Sequence, residues 1–206
     1  MRQIVVPGDL LTTERKKLGE NVYFENNAVY SSVLGILASN ETSVSVIALN
    51  GVYVPQIGDG ILALVKSENS LGYALELNSV TDSFIPKSIL TKPLKIGTVL
   101  FVRIKNINSN DSIELDNINV LPDGNIIKVS SVKVPRLIGK NDSMLNILKN
   151  YTECNIVIGK NGFIWYSGKS TQLLEKAINL IINNSQKSNL TDSIQGYLEK
   201  EKQNTK

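Results

Sequence analysis

Residues 134–145 read "VPRLIGKNDSML", and the reading of this stretch decides the fold of the C-terminal part of the chain. "PRLI" is a short turn of helix, and "SMLNILKNY" (143–151) is a longer one. In the longer helix Met144, Leu145, Leu148 and Tyr151 fall at i, i+1, i+4 and i+7 on one apolar face, with Ser143 or Asp142 available as N-cap. The pentapeptide "IGKND" (138–142) joins the two helices. Free backbone N–H groups point outward there and the helix dipole favours an anion. It is a phosphate-facing position, with Lys140 on the loop and Arg136 before it.

Twenty positions on, "IGKNG" (158–162) repeats the motif almost letter for letter. It lies between two apolar β runs, "CNIVI" and "FIWYS", so Asn161-Gly162 is expected to supply residues that tolerate positive φ in a tight hairpin turn. This second copy reads as structural. "NIIKVSSVKV" (125–134) before the helices is a strand, and "STQLLEKAINLIINN" (170–184) is a helix with Leu173, Leu174, Ala177, Ile178, Ile181 and Ile182 on its apolar face. The order is strand, helix, helix, strand, strand, helix. From Ser185 a polar tail, with a weak helix around "SIQGYLEKE", is expected to fray.

Upstream of the "PDG" turn at Pro122–Gly124 the pattern is β throughout. "GILALVKS", "GYALELN", "SFIPKSI", "TVLFVRIKNIN" and "SIELDNI" make five strands, with alternation in Val99, Phe101, Arg103 and Lys105. A closed five-stranded OB-type barrel accounts for this spacing, because closure removes exposed edges. Such barrels bind single strands with aromatic stacking platforms and basic residues along the backbone track. Tyr73, Phe84, Lys66, Lys87, Arg103 and Lys105 are the candidates. From Ile4 to Val54 shorter runs rich in β-branched and aromatic residues are separated by turns such as Pro7-Gly8-Asp9 and Asn50-Gly51, giving a small antiparallel β unit that ends near Pro55.

Composition narrows the chemistry. With no histidine and the single cysteine Cys154, the usual zinc sets, an internal disulfide and a Ser-His-acid triad are excluded. No cofactor or metal is expected. No stretch reaches the roughly 18 apolar residues of a membrane span, and the first residues lack a signal-peptide core; a soluble, cytoplasmic protein is the expectation. Residues 1–124 hold 10 Lys or Arg against 13 Asp or Glu, a net of −3, whereas residues 125–206 hold 12 against 6, a net of +6. The basic half is the better polyanion binder. A hydrolase built on Asp59, Asp82 and Asp111 is disfavoured, since these aspartates sit at turns, where local hydrogen bonding explains them.

A loop of the form I-G-x-x-G between two helices is similar to that of the KH domain, whose Gly-x-x-Gly loop clamps the backbone of about four nucleotides. Gly139, Lys140 and Asn141 match its first three positions; Asp142 stands in place of the second glycine. Taken together, "IVVPGDLL", "VYSSVLGIL", "YVPQIGDGILALV", "VPRLIGKNDSML" and "IVIGKNGFIWYSG" resemble the RNA-binding cap subunits of the archaeal exosome over residues 4–183. The expected fold is multidomain, β plus α/β: a small N-terminal β domain (1–55), a five-stranded OB-type barrel (56–122) and a C-terminal type I KH (α+β) domain with a polar tail (123–206).

The resemblance implies a non-catalytic subunit that captures single-stranded RNA 3′ ends and guides them into a phosphorolytic ring for 3′-to-5′ degradation. Three copies would sit on the ring through their N-terminal domains. The implied RNA contacts are Lys66, Tyr73, Phe84, Lys87, Arg103 and Lys105 on the barrel and Arg136, Gly139, Lys140 and Asn141 on the KH loop. Weak contacts on three copies around one pore add through effective concentration. The alternative is a free-standing OB/KH factor in transcription or translation.

Overall fold

In a computed structural model the chain is described at residues 3–81, 83–108, 112–186 and 189–204, and it divides into two compact units after Gly51. The first unit is all β. Strands β1 (Ile4–Val5), β2 (Leu10–Thr12), β3 (Lys17–Leu18), β4 (Val22–Glu25), β5 (Ala28–Ser31), β6 (Gly35–Ser39) and β7 (Ser43–Ala48) form two sheets, ordered β1-β6-β7-β3 and β2-β5-β4. All pairs are antiparallel except β3 with β7, which is parallel. Local chemistry sets the turns. Asn26 and Asn27, both at positive φ (47° and 60°), close the β4–β5 hairpin, as a two-residue turn matched to strand twist requires. At Pro7-Gly8, Val6 N–H donates to Asp9 Oδ2 (2.8 Å) and Asp9 N–H to Val6 O (3.1 Å).

The second unit begins with five strands, β8 (Gly60–Glu68), β9 (Gly72–Glu76), β10 (Ser83–Pro86), β11 (Val99–Ile107) and β12 (Ile113–Val120), in the order β10-β9-β8-β11-β12. Ser83 Oγ donates to Ile113 O (2.8 Å), bringing the two outer strands together at one point, but among the described residues no ladder pairs β10 with β12, so the sheet curls into a half-barrel and not the closed barrel expected. Ile61, Ala63 and Val65 of β8 fill its interior with Leu75, Leu100 and Val102. The intervening Leu62 and Leu64 face the other way, into a separate apolar cluster with Val99, Phe101, Phe163 and Trp165. Strand β8 therefore reads as an unbroken apolar run because both of its faces are covered.

The covering element is the C-terminal layer: β13 (Asn125–Lys128), α1 (Val134–Ile138), α2 (Ser143–Thr152), β14 (Cys154–Ile158), β15 (Phe163–Gly168) and α3 (Thr171–Asn183). Its sheet is ordered β13-β15-β14, all antiparallel. On β15 alternate residues go to opposite sides: Ile164 and Tyr166 join the helix-side core with Leu137, Leu148 and Ile178, while Phe163 and Trp165 meet the barrel. Burying side chains of this size contributes roughly 1.5–3 kcal/mol each, so the two modules are held as one body.

The C-terminal tail departs from its expectation. Residues Leu190–Asn204 form a 15-residue helix, α4, with Leu190, Ile194 and Leu198 buried in the helix-side core. Tyr151 Oη donates to Glu199 Oε1 (2.7 Å), linking α2 to α4. The segment is a packed helix and not a fraying tail, because three apolar residues at i, i+4 and i+8 suffice for one narrow seam even where the surrounding composition is polar.

Candidate nucleic-acid interface

The two pentapeptides end up in unlike places. In "IGKNG" the Gly162 N–H donates to Gly159 O (3.0 Å) and Gly162 has φ +84°, so a turn joins β14 to β15. Only Gly162 carries positive φ there; Asn161 does not, contrary to the hairpin expectation, because its job is done by its side chain. Fully buried, it accepts from Leu62 N–H (3.2 Å) and donates to Leu62 O (2.7 Å) and Leu77 O (2.6 Å). Lys160 N–H donates to Gly60 O (3.0 Å), and Lys160 Nζ meets Asp59 Oδ1 at 2.7 Å. Asp59 also accepts from Tyr53 Oη (2.6 Å), and burial, followed by that hydrogen bond, pushes the Tyr53 hydroxyl pKa well up. The turn is a plug set into the barrel wall.

"IGKND" instead lies open. Arg136 on α1 and Lys140, Asn141 and Asp142 between α1 and α2 are exposed. Gly139 has φ 77° and ψ 174°, and Asn141 (φ 52°, ψ 45°) and Asp142 (φ 59°, ψ 17°) are both left-handed. Asp142 occupies the N-cap position of α2, but its carboxylate makes no capping bond. The expected side-chain cap is thus absent, because a capping residue needs extended backbone to aim its oxygen at the first free N–H groups. The geometry explains why a glycine suits this slot: its φ is positive, which Asp and Asn tolerate better than other side chains. The loop keeps the shape and adds a charge.

On the barrel the six sequence candidates fall into two groups. Lys66, Tyr73, Phe84 and Lys87 gather near one end: Glu68 pairs with Tyr73 and Phe84 with Ala74 across the strands. Arg103 and Lys105 are exposed at the far end of β11, where Arg103 pairs with Gly60 while Val99 pairs with Leu64. Four residues of strand separate the ends of this ladder, roughly 13 Å at about 3.3 Å per residue, and the C-terminal layer covers the outward residues between them. A single continuous track over all six is not formed.

The two aromatic candidates take opposite positions. Tyr73 is 1% exposed, inside the barrel, where its Oη accepts from Leu94 N–H (3.1 Å); it is core and offers no open stacking face. Inward-pointing alternation on β9 puts it there. Phe84 is 41% exposed on the outer face of β10, its ring laid over Gly72, where an added Cβ would come within 2.5 Å of Cζ. Lys87 is ion-paired to Glu68 (2.6 Å) with Nζ 5.6 Å from the Tyr73 ring centroid. The hydrogen bond to Glu68 holds its pKa above the usual lysine value. Sequence reading missed Thr91 and Lys92, which line a cavity beside this pair; a Thr-Lys step in a loop carries no periodicity to single it out.

Asp59 is buried and engaged by Lys160 and Tyr53, so it is a docking residue; Asp82 and Asp111 lie outside the described residues. Among the described residues no three metal-ligating side chains cluster, and no helix is long and apolar enough to cross a membrane.

A three-stranded sheet with its helices, bearing a helix–loop–helix of Gly-x-x-Gly shape and docked on a five-stranded barrel, defines a protein of the OB-plus-KH class. Family models match the two ends of the chain: "Exosome RNA binding protein RRP4 N-terminal domain" matches residues 2–50 and "KH domain" matches residues 124–172. The chain is 35% identical over 220 residues to the exosome complex component Rrp4 of Methanosarcina mazei, covering 100% of this chain and 85% of that protein. It is 34% identical to Rrp4 of Pyrococcus furiosus, covering 96% and 83% of the two chains. A crystal structure assigned as an exosome complex RNA-binding protein superposes with a TM-score of 0.68 at 25% identity, covering 76% of this chain and all of that one. The chain belongs to the Rrp4 family of exosome components.

Proposed function

We propose that this protein is a non-catalytic RNA-binding cap of an archaeal exosome in the cytoplasm. It would capture single-stranded 3′ ends and guide them into a phosphorolytic ring for 3′-to-5′ degradation. The observation that carries the reading is similarity to exosome Rrp4 proteins along the whole chain, through all three segments. The named RNA contacts are Phe84 with Lys66 and Lys87 at one end of the barrel, Arg103 and Lys105 at the other, and Arg136, Gly139, Lys140 and Asn141 on the loop. Exposed cations at these places suit a phosphate backbone, and Phe84 offers a base an aromatic face.

The first unit is the ring-docking module in this reading, with three copies on each ring. It bears an apolar row across three strands, Leu10, Tyr30 and Tyr23, which are direct cross-strand partners; Tyr23 and Tyr30 stack with centroids 5.6 Å apart, and Leu10 is 55% exposed. Exposed apolar surface of this kind marks an interaction site. Co-purification with the phosphorolytic ring subunits tests the proposal. A stable complex that loses this chain on Leu10→Asp with Tyr23→Asp supports it; a chain that stays apart from the ring points to a free-standing RNA-binding factor.

A further inference from the structure

At the Lys87 end of the barrel a cavity of about 340 Å³ opens between the end of β8 and the segment that follows β10. Its size sits near the bottom of the small-molecule range of roughly 300–1,000 Å³, suited to one nucleotide and too small for several. The lining divides by chemistry. Leu90 and Pro93 make an apolar wall, Lys87, Thr91 and Lys92 supply cationic and hydroxyl groups, and Tyr73 closes the floor beneath Lys87. Glu68 contributes the one carboxylate, and it is spent on Lys87 at 2.6 Å.

The position of the cavity matters as much as its lining. Strand β10 runs from the exposed Phe84 directly to Pro86 and Lys87 at the rim. Three residues of extended chain span about 10 Å, so the cavity lies a short reach from the aromatic face. Lys87 N–H donates to Leu71 O (3.0 Å), which anchors the rim to the β8–β9 turn.

We infer that this cavity is a subsite for a single nucleotide of the bound RNA strand, the base resting against Leu90 and Pro93 and its phosphate held by Lys87 and Lys92. The inference rests on the RNA-binding reading above and adds Leu90, Thr91, Lys92 and Pro93 to the two sequence candidates that line the cavity, Tyr73 and Lys87. Glu68 competes with the phosphate for Lys87, so occupancy is set by which anion Lys87 prefers. An ammonium between two anions is shared at little cost when all three remain exposed to water.

The test uses the full chain, with backbone amide NMR during titration with uridine monophosphate, inorganic phosphate and a short single-stranded RNA, and fluorescence anisotropy for the RNA affinities. Nucleotide and RNA should both move the amides of Leu90, Thr91 and Lys92, and inorganic phosphate should move them less. Lys92→Ala should weaken RNA binding about threefold to tenfold and lower the log–log salt slope by about 0.7, the value of one single-strand phosphate contact. Glu68→Gln should tighten binding up to about fivefold by freeing Lys87. RNA that binds normally to Lys92→Ala and leaves those amides unmoved would overturn the subsite while leaving the RNA-binding reading intact. Equal responses to phosphate and nucleotide would reduce it to an anion site and overturn the nucleotide assignment. A wild-type chain that binds no RNA by either method would overturn the functional reading, and the subsite with it.

Discussion

"IGKND" and "IGKNG" share four letters of five and have opposite fates. The second copy is buried in a wall of hydrogen bonds, whereas the first is an exposed loop with two consecutive left-handed residues. In the second, lysine and asparagine are spent on the chain itself; in the first, the same residue types face outward. The difference teaches that a Gly-Lys-Asn step is no ligand signature on its own. Its surroundings decide whether the polar groups are satisfied internally or remain for a partner.

The largest expected effect breaks the buried copy. Asn161→Ala leaves Leu62 N–H, Leu62 O and Leu77 O without their partner, and unsatisfied buried groups cost roughly 1–3 kcal/mol each. A loss of about 3 kcal/mol or more in urea denaturation is expected, against about 1 kcal/mol for the exposed Asn141→Ala, where only the left-handed backbone is strained. Equal losses would erase the contrast.

Next comes the loop. Asp142→Gly removes a left-handed non-glycine residue, worth roughly 1 kcal/mol of stability, and removes a carboxylate from the proposed phosphate path. Higher stability with tighter RNA binding is the expected pair of outcomes. Weaker binding by the folded variant would mean that Asp142 contributes a contact of its own. Lys140→Ala should leave stability unchanged and lower the salt slope of RNA binding by about 0.7, measured by anisotropy from low to high salt; an unaltered slope takes Lys140 off the contact surface.

The smallest effect concerns helix α4. Hydrogen bonds from Gln195 and then from Tyr151 hold the Glu199 carboxyl below its ordinary value. A depressed folded-state pKa gives stability that is present above the unfolded value and is lost as pH falls through the folded one. Acidification below the ordinary carboxylate range should therefore loosen the α2–α4 contact slightly, and Glu199→Gln should remove that pH dependence in thermal melts. An identical acid profile in the variant would show that other groups govern it.

Much of the fold was legible because it follows from periodicity. Alternation located the barrel strands, and the apolar face of 170–184 located α3. A weak helix around 193–201 was expected, but its packing was not, since Leu190, Ile194 and Leu198 are three apolar positions in a polar stretch, too few to stand out without the core they enter. The site was less legible. Whether an aromatic on a strand points in or out depends on a one-residue register, so Tyr73 and Phe84 were indistinguishable until the strands were paired.

The amino-acid order by itself determined the kinds of element, their sequence along the chain, and the excess of positive charge in the C-terminal part, because these depend on local sterics, spacing and composition. Only the tertiary structure decided which of two like pentapeptides would be consumed in docking, which aromatic would be buried, and where Lys87 would find Glu68. Those outcomes depend on contacts such as Asn161 with Leu62, 99 residues apart, and no local pattern carries information about a partner so distant.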